Sequence, residues 1–422
     1  MNRTQLAPGI HITTLPGTQF KRCRITLQLT VPAKRSTATA AALLPLVMER
    51  GYADCPDMTQ LSKHLARLYG AGLAVNSSMS GANRVFTVSV CGIKDEFALD
   101  GEDLTAAYTN LVLGVLLRPH LKNGLFCKEE MDVEKEQLRQ ALLSEMNDKR
   151  TYCLRQAQRR FFGDTPAGIE AGGYLEEIDA VTPQTLTAVY RDMLQNAAIE
   201  VVCTGANAQT VSTALQAALH IIVRTPCTPA RPAAMPAQAE DAVNEPMDTE
   251  QGKLCMVFTG GQTPPLAQLP ALRVAVAMFG GTATSRLFTN VREKQSLCYY
   301  CGARYAYNTA AMVVNSGIEH QNAARAKAAI LAELHSLVNG EISAQELDDA
   351  KRSIVNSVLS VADSIGGTES WYLAEIERGT LQAPHEAAEA INAVTPQQAK
   401  AALASLSLSV SYCITKEEVA HA

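Results

Sequence analysis

Arg292 and Tyr299 are the residues best equipped for chemistry in the most distinctive stretch of the chain, Phe279-Gly-Gly-Thr-Ala-Thr-Ser-Arg-Leu-Phe-Thr-Asn-Val-Arg-Glu-Lys-Gln-Ser-Leu-Cys-Tyr299. A guanidinium can hold a peptide carbonyl or a carboxylate with several donors, and a phenol can donate to the oxyanion of a tetrahedral intermediate. Neither group cleaves a bond by itself. Taken alone, the pair reads more simply as an arginine tied to a neighbouring acid and a half-buried tyrosine.

Other reactive residue types form weaker constellations. Cys298 and Cys301 have CxxC spacing inside a β-prone run, where positions i and i+3 are expected on opposite faces of a strand and cannot share a metal. The eight histidines (11, 64, 120, 220, 320, 335, 385 and 421) never fall three to five residues apart, so no helix presents two imidazoles on one face. His64 sits on an amphipathic helix whose stripe is Leu61, Leu65 and Leu68, a flank position. Gly280-Gly281 lacks the Lys-Ser/Thr end of a phosphate loop, so no nucleotide is implied.

The scaffold for these residues is large. With 422 residues, 47% hydrophobic and 19% charged, the chain is expected to fold as two or more globular domains. A net charge of −5 disfavours nucleic acid as a partner. No apolar run reaches the ~18 residues of a membrane helix, and the first twenty residues lack the apolar core of a secretory signal. Eleven scattered cysteines suit reduced thiols, so a cytoplasmic location is expected.

Between Pro226 and Pro246, five prolines among Ala, Thr and acidic residues read as an extended linker without packed structure. The parts on either side echo each other. Ile178-Asp-Ala-Val-Thr-Pro-Gln184 recurs as Ile391-Asn-Ala-Val-Thr-Pro-Gln397, each predicting a Thr N-cap, Pro at the first helical position, a helix, and then a β-branched strand. The segment 129–149 has a helical counterpart at 344–364, in the same order relative to the repeat. The expected fold is α+β: two homologous domains, each a mainly antiparallel sheet with helices packed on one face, cut as 1–222, a Pro/Ala-rich linker 223–250, and 251–422.

Gly280-Gly281, Ser285-Arg286-Leu287-Phe288, Arg292-Glu293-Lys294, Leu297 and Tyr299 resemble the C-terminal-half signature of the insulinase (pitrilysin, mitochondrial processing peptidase) zinc peptidases. The resemblance extends over nearly the whole chain. Leu68-Tyr-Gly-Ala71, Asp148-Lys-Arg150 with Tyr152, Gln251-Gly-Lys-Leu254 and Val291-Arg-Glu-Lys294 are similar to a non-catalytic, YfmF-like branch. It implies that Arg292 and Tyr299 bind substrate. It also implies an HxxEH zinc helix, and that motif is absent. Aligned on Gly51, the His, Glu and His positions carry Ala42, Pro45 and Leu46, and the third ligand falls on Leu143 when aligned through Glu134-Lys-Glu136. None of these side chains has a lone pair, and Glu145 lies about 200° round the helix from position 143.

The resemblance therefore implies a subunit without metal or catalytic residues of its own. It would bind a peptide or unfolded polypeptide through Arg292 and Tyr299 and pair with an HxxEH-bearing homologue that holds the zinc. One alternative is an inactive peptidase-fold scaffold or an assembly- or modification-associated factor. Another is a homodimeric peptide-binding protein.

Overall fold

The computed structural model describes residues 1–219 and 222–416, so His220 and His421 lie outside the described residues. Its thirteen strands are β1 (Asn2–Ala7), β2 (Ile10–Leu15), β3 (Arg22–Pro32), β4 (Gly72–Ser80), β5 (Asn83–Ile93), β6 (Leu121–Lys122), β7 (Leu125–Phe126), β8 (Ala198–Thr204), β9 (Asp241–Pro246), β10 (Gly252–Thr259), β11 (Cys298–Ala306), β12 (Ala311–Ile318) and β13 (Ser407–Thr415). Two sheets dominate, in the orders β1-β2-β8-β3-β5-β4 and β11-β12-β10-β13-β9.

The two orders are one plan used twice. A central strand, β3 or β10, lies antiparallel between a hairpin strand and the strand that follows the repeated Val-Thr-Pro-Gln phrase. Outside that last strand a further strand runs parallel, β2 beside β8 and β9 beside β13. All other pairings in the two sheets are antiparallel, as expected for an α+β protein. The repeated phrase acts as read: Thr182 and Thr395 cap the helices Pro183–Asn196 and Pro396–Leu403, each in a reciprocal capping box with proline in the first turn.

Corrections to the sequence reading arise at the linker. Residues 241–246, expected to be unpacked, form the edge strand β9, paired in register from Val410–Asp241 to Thr415–Pro246. Glu245 accepts hydrogen bonds from Tyr152 at 3.0 Å and Tyr412 at 2.5 Å, which ties the strand down. An edge strand needs donors on one side only, so a proline can end it without breaking the ladder.

The compact units are not contiguous halves of the chain. One comprises Met1–Leu143, Ile169–Ala230 and Ala362–Ala374; the other comprises Ser144–Gly168, Arg231–Val361 and the residues from Glu375 onward. In the first, the nearly all-apolar helix Leu104–Leu117 and the helix Ala38–Glu49 fill the core over one face of the sheet, with Ile25, Leu27 and Leu29 of β3 below them. The opposite face carries Leu15 and Val202, and these are covered by Trp371, Tyr372 and Leu373. On that same face Thr26 donates to the buried Glu369 at 2.9 Å, with Arg24 at 3.1 Å from its other oxygen. In the second unit, the helix Lys149–Phe162 lies on Cys255, Val257, Val313, Val410 and Tyr412. Each sheet thus has most of its helices on one face and, on the other, a helical segment that its own stretch of chain does not contribute.

The Asp148-Lys-Arg150 phrase has a structural explanation. Asp148 caps the helix Lys149–Phe162 by accepting from the backbone of Arg150 and Thr151, and Arg150 stacks on the ring of Tyr300 at 4.5 Å. That ring covers Gly317 on β12, where a Cβ would meet the ring carbons at 2.4 Å.

Candidate functional site

The helix Ala38–Glu49 is where a zinc helix would lie. Ala42 and Pro45 are buried in it and Leu46 packs against the core, while Leu143 is exposed on the helix Lys128–Glu145. The acids nearby are engaged: Glu134, almost fully buried, accepts from Arg50 at 2.6 Å, and burial pushes the Glu49 carboxyl upward. Glu145 pairs with Arg155. Among the described residues no group of three or more His, Cys, Asp or Glu could hold a metal ion. The donor set does not fit zinc, because coordination needs lone pairs and the four matching positions carry only hydrocarbon.

Arg292 and Tyr299 lie at the other candidate site, built by an unusual local chain path. Two π-helical segments, Ala277–Gly281 and Leu287–Lys294, bracket the Thr-Ser-Arg turn. At Gly280 a Cβ would sit 2.7 Å from the backbone nitrogen of Ala303, so only glycine allows this approach to β11. A tight turn then closes through Gln295 N–H to Asn290 O and Leu297 N–H to Val291 O, both at 3.1 Å, with Ser296 at φ +51°. It delivers Cys298 and Tyr299 to the start of β11, the edge strand of the second sheet.

The two arginines of the signature are used differently. Arg286 is fixed by Glu346 through two hydrogen bonds of 2.6 and 3.0 Å, and also by Ser336 and the carbonyl of Glu341. Arg292 lies over the Phe288 ring at 4.4 Å, and among the described residues only its neighbour Glu293 is within ion-pair reach, at 3.6 Å. Tyr299 is 50% exposed, and its hydroxyl has no hydrogen-bond partner among the described residues. The ring is half-buried, as the simpler reading has it, and its hydroxyl is left facing no partner of its own.

Tyr299 stands out because it is bulged: Cys298 pairs with Ile318 and Tyr300 with Gly317, which leaves residue 299 outside the register. The same bulge corrects the reading of the cysteines. Cys298 lies opposite Ile318 and Cys301 opposite Ser316, two residues apart on β12, so both thiols are on one face. A hydrogen bond from Cys301 pulls Cys298 down to about 7 despite burial, with Ser316 and the charge of Arg292 assisting, and Cys301 is pushed upward in return. All eleven cysteines are free thiols. Cys298 is therefore expected to be the first to react with iodoacetamide, at half its limiting rate near pH 7, and Cys301→Ala, which removes the donor, should shift that midpoint upward. Peptide mapping of the alkylated protein measures this; preferential labelling of another cysteine would contradict it.

Sequence reasoning missed Arg84, a buried guanidinium in the first unit's sheet. The available signal was an arginine opening the run Arg84-Val-Phe-Thr-Val-Ser-Val-Cys91, whose alternation is too weak for a strand with one wet face. Among the described residues, no helix is long and apolar enough to cross a membrane.

A family model described as the Peptidase M16 inactive domain matches residues 180–354. A protein of Bacillus subtilis named "Probable inactive metalloprotease YmfF" is 26% identical over 351 residues, covering 83% of this chain and 82% of its own. A conserved protein from Enterococcus faecalis superposes with a TM-score of 0.90 at 26% identity over 99% of this chain and 98% of that one. A peptidase M16 inactive domain from Pseudomonas fluorescens shares the fold, with a TM-score of 0.75 at 15% identity over 99% of this chain and 98% of that one.

Proposed function

The chain belongs to the insulinase (M16) peptidase family as a non-catalytic, YmfF-like member, and from that premise we propose that it is the substrate-holding subunit of a two-chain zinc peptidase. Its partner would be a homologue carrying HxxEH. The observation that carries this reading is the contrast on one short segment: Arg286 is consumed by structural bonds, while Arg292, near the end of the π-helical segment Leu287–Lys294, meets only Glu293 and the Phe288 ring, and Tyr299, on the bulge of the edge strand β11, has no hydrogen-bond partner among the described residues. Idle donors of this kind are suited to a ligand, Tyr299 through its O–H and Arg292 through a fork of N–H groups.

The roles divide by chemistry. Tyr299 donates to the oxygen that becomes negative as a peptide carbonyl is attacked, and Arg292 holds a second carbonyl of the extended substrate. An exposed sheet edge offers main-chain pairing, which gives affinity without strict sequence demand. Water activation and carbonyl polarisation belong to the partner's site.

The experiment is reconstitution. The chain alone should not hydrolyse an unfolded peptide, the HxxEH homologue alone should be weak, and the copurified pair should be active and lose activity to a chelator. Stoichiometric zinc bound to this chain alone, with turnover that depends on it, would overturn the proposal. The second reading, an inactive peptidase-fold scaffold, draws on the aliphatic residues at the ligand positions; it predicts a stable complex whose activity does not depend on this chain.

A further inference from the structure

Within the first unit, a cavity of about 430 Å³ opens between the end of β3, the start of the helix Ala38–Glu49 and the helix Pro183–Asn196. Its size falls in the ~300–1,000 Å³ range of small-molecule sites. Most of its wall is hydrocarbon, from Val31, Leu44, Phe86, Val189 and Met193, and one charged group is sunk into it. Arg84 is 6% exposed. It donates through Nη1 to the carbonyl of Ala171 at 2.7 Å and to Ser77 at 3.3 Å, and through Nη2 to the carbonyl of Glu170 at 3.3 Å.

These partners satisfy donors but carry no charge. Among the described residues no carboxylate pairs with Arg84, and its hydrogen bonds run through Nη1 and Nη2 while the residue lines the cavity. Burial pulls the guanidinium down only to about 10, so it stays charged at neutral pH. A buried charge without a counter-ion is costly, and an anion bound beside it recovers that cost. A second feature of the same wall has the same sign. The helix Ala38–Glu49 begins at the cavity as the continuation of one 3-10 turn, Arg35–Thr37, in which the Thr37 and Ala38 N–H groups bond to the carbonyls of Lys34 and Arg35, so what this end adds is the positive pole of the helix dipole. The Lys34–Asp192 pair at the rim, 3.2 Å apart and exposed, is neutral overall.

We propose that this cavity binds an organic monocarboxylate with a compact apolar body, its carboxylate on Arg84 and its hydrocarbon against Val31, Leu44, Phe86, Val189 and Met193. The chemistry is shared by a free branched-chain carboxylic acid and by the C-terminal residue of a peptide ending in an apolar side chain. The site is separate from Arg292 and Tyr299 and does not depend on the peptidase reading.

The test uses the full chain, with 4-methylpentanoate, N-acetyl-leucyl-leucine and the amides of both as probes up to about 10 mM, followed by calorimetry and thermal melting. One or both carboxylates should bind and raise the melting temperature, and whichever binds names the source. Each amide should bind at least about tenfold more weakly, because charge-assisted pairing is lost. Arg84→Met should lose a similar factor while Arg84→Lys keeps part of it. Ala188→Trp, an exposed wall position on the helix Pro183–Asn196, should block binding without touching the core, so the test survives if the arginine variants fail to fold. Binding of the amides as tight as that of the acids, unchanged affinity in Arg84→Met or Ala188→Trp, or no binding by any probe would each overturn the proposal.

Discussion

Tyr299→Phe is expected to lower kcat of the reconstituted peptidase pair by about 10²–10³, with little change in KM, because removing one oxyanion donor costs about 2.7–4 kcal/mol in the transition state. The substitution deletes one hydroxyl, without a hydrogen-bond partner among the described residues, from a ring that is half in solvent, so the chain should melt as the unmodified protein does. Arg292→Ala should act mainly on KM, since a group holding a remote carbonyl binds substrate and transition state alike. Arg286→Ala is the counter-case. It leaves the partly buried Glu346 without its two hydrogen bonds, which should cost about 1–3 kcal/mol of stability, with no specific effect on turnover at permissive temperature. If Tyr299→Phe leaves kcat intact in an active pair, the tyrosine is no oxyanion donor and the substrate-holding role fails with it.

Local phrases were legible in the sequence because their physics is local. A Thr-Pro-Gln step specifies a capped helix start wherever it occurs, and its recurrence marked the duplicated sheet plan. The missing zinc motif is a property of the sequence itself, since the side chains of Ala42, Pro45 and Leu46 have no lone pair to offer in any fold. What escaped depends on partners remote in sequence. The face assigned to Cys301 was inverted by a single bulged residue, and nothing in Cys-Tyr-Tyr-Cys announces a bulge; it follows from how β11 meets β12. The proline-rich segment was read by its composition, but Glu245 is held by Tyr152 and Tyr412, ninety-three and 167 residues away. Arg84 is buried by a wall drawn from β3, the helix Ala38–Glu49 and the helix Pro183–Asn196, which its own run does not reveal.

The exchange of helical segments was the least legible feature, and it leads to the second large effect. A fragment of residues 231–422 contains every strand of the second sheet, yet it should fail to fold cooperatively. The face formed by Cys255, Val257, Val313, Val410 and Tyr412 is covered by Cys153, Ala157, Phe161 and Phe162, which this fragment lacks. Truncating Phe161 alone should cost about 3–5 kcal/mol, as for other fully buried phenylalanines, against a total of about 5–15 kcal/mol for a typical domain. Loss of the whole helix leaves an apolar sheet face in water, a surface that drives association. Isolated 231–422 should therefore show strand-like far-ultraviolet dichroism at most, without a sharp thermal transition, and should bind a hydrophobic dye. Fusing 144–168 to it should restore a cooperative melt, because Asp148 caps the helix and Arg150 seats it on Tyr300. A sharp, two-state melt of unfused 231–422 would mean that the sheet does not need this helix.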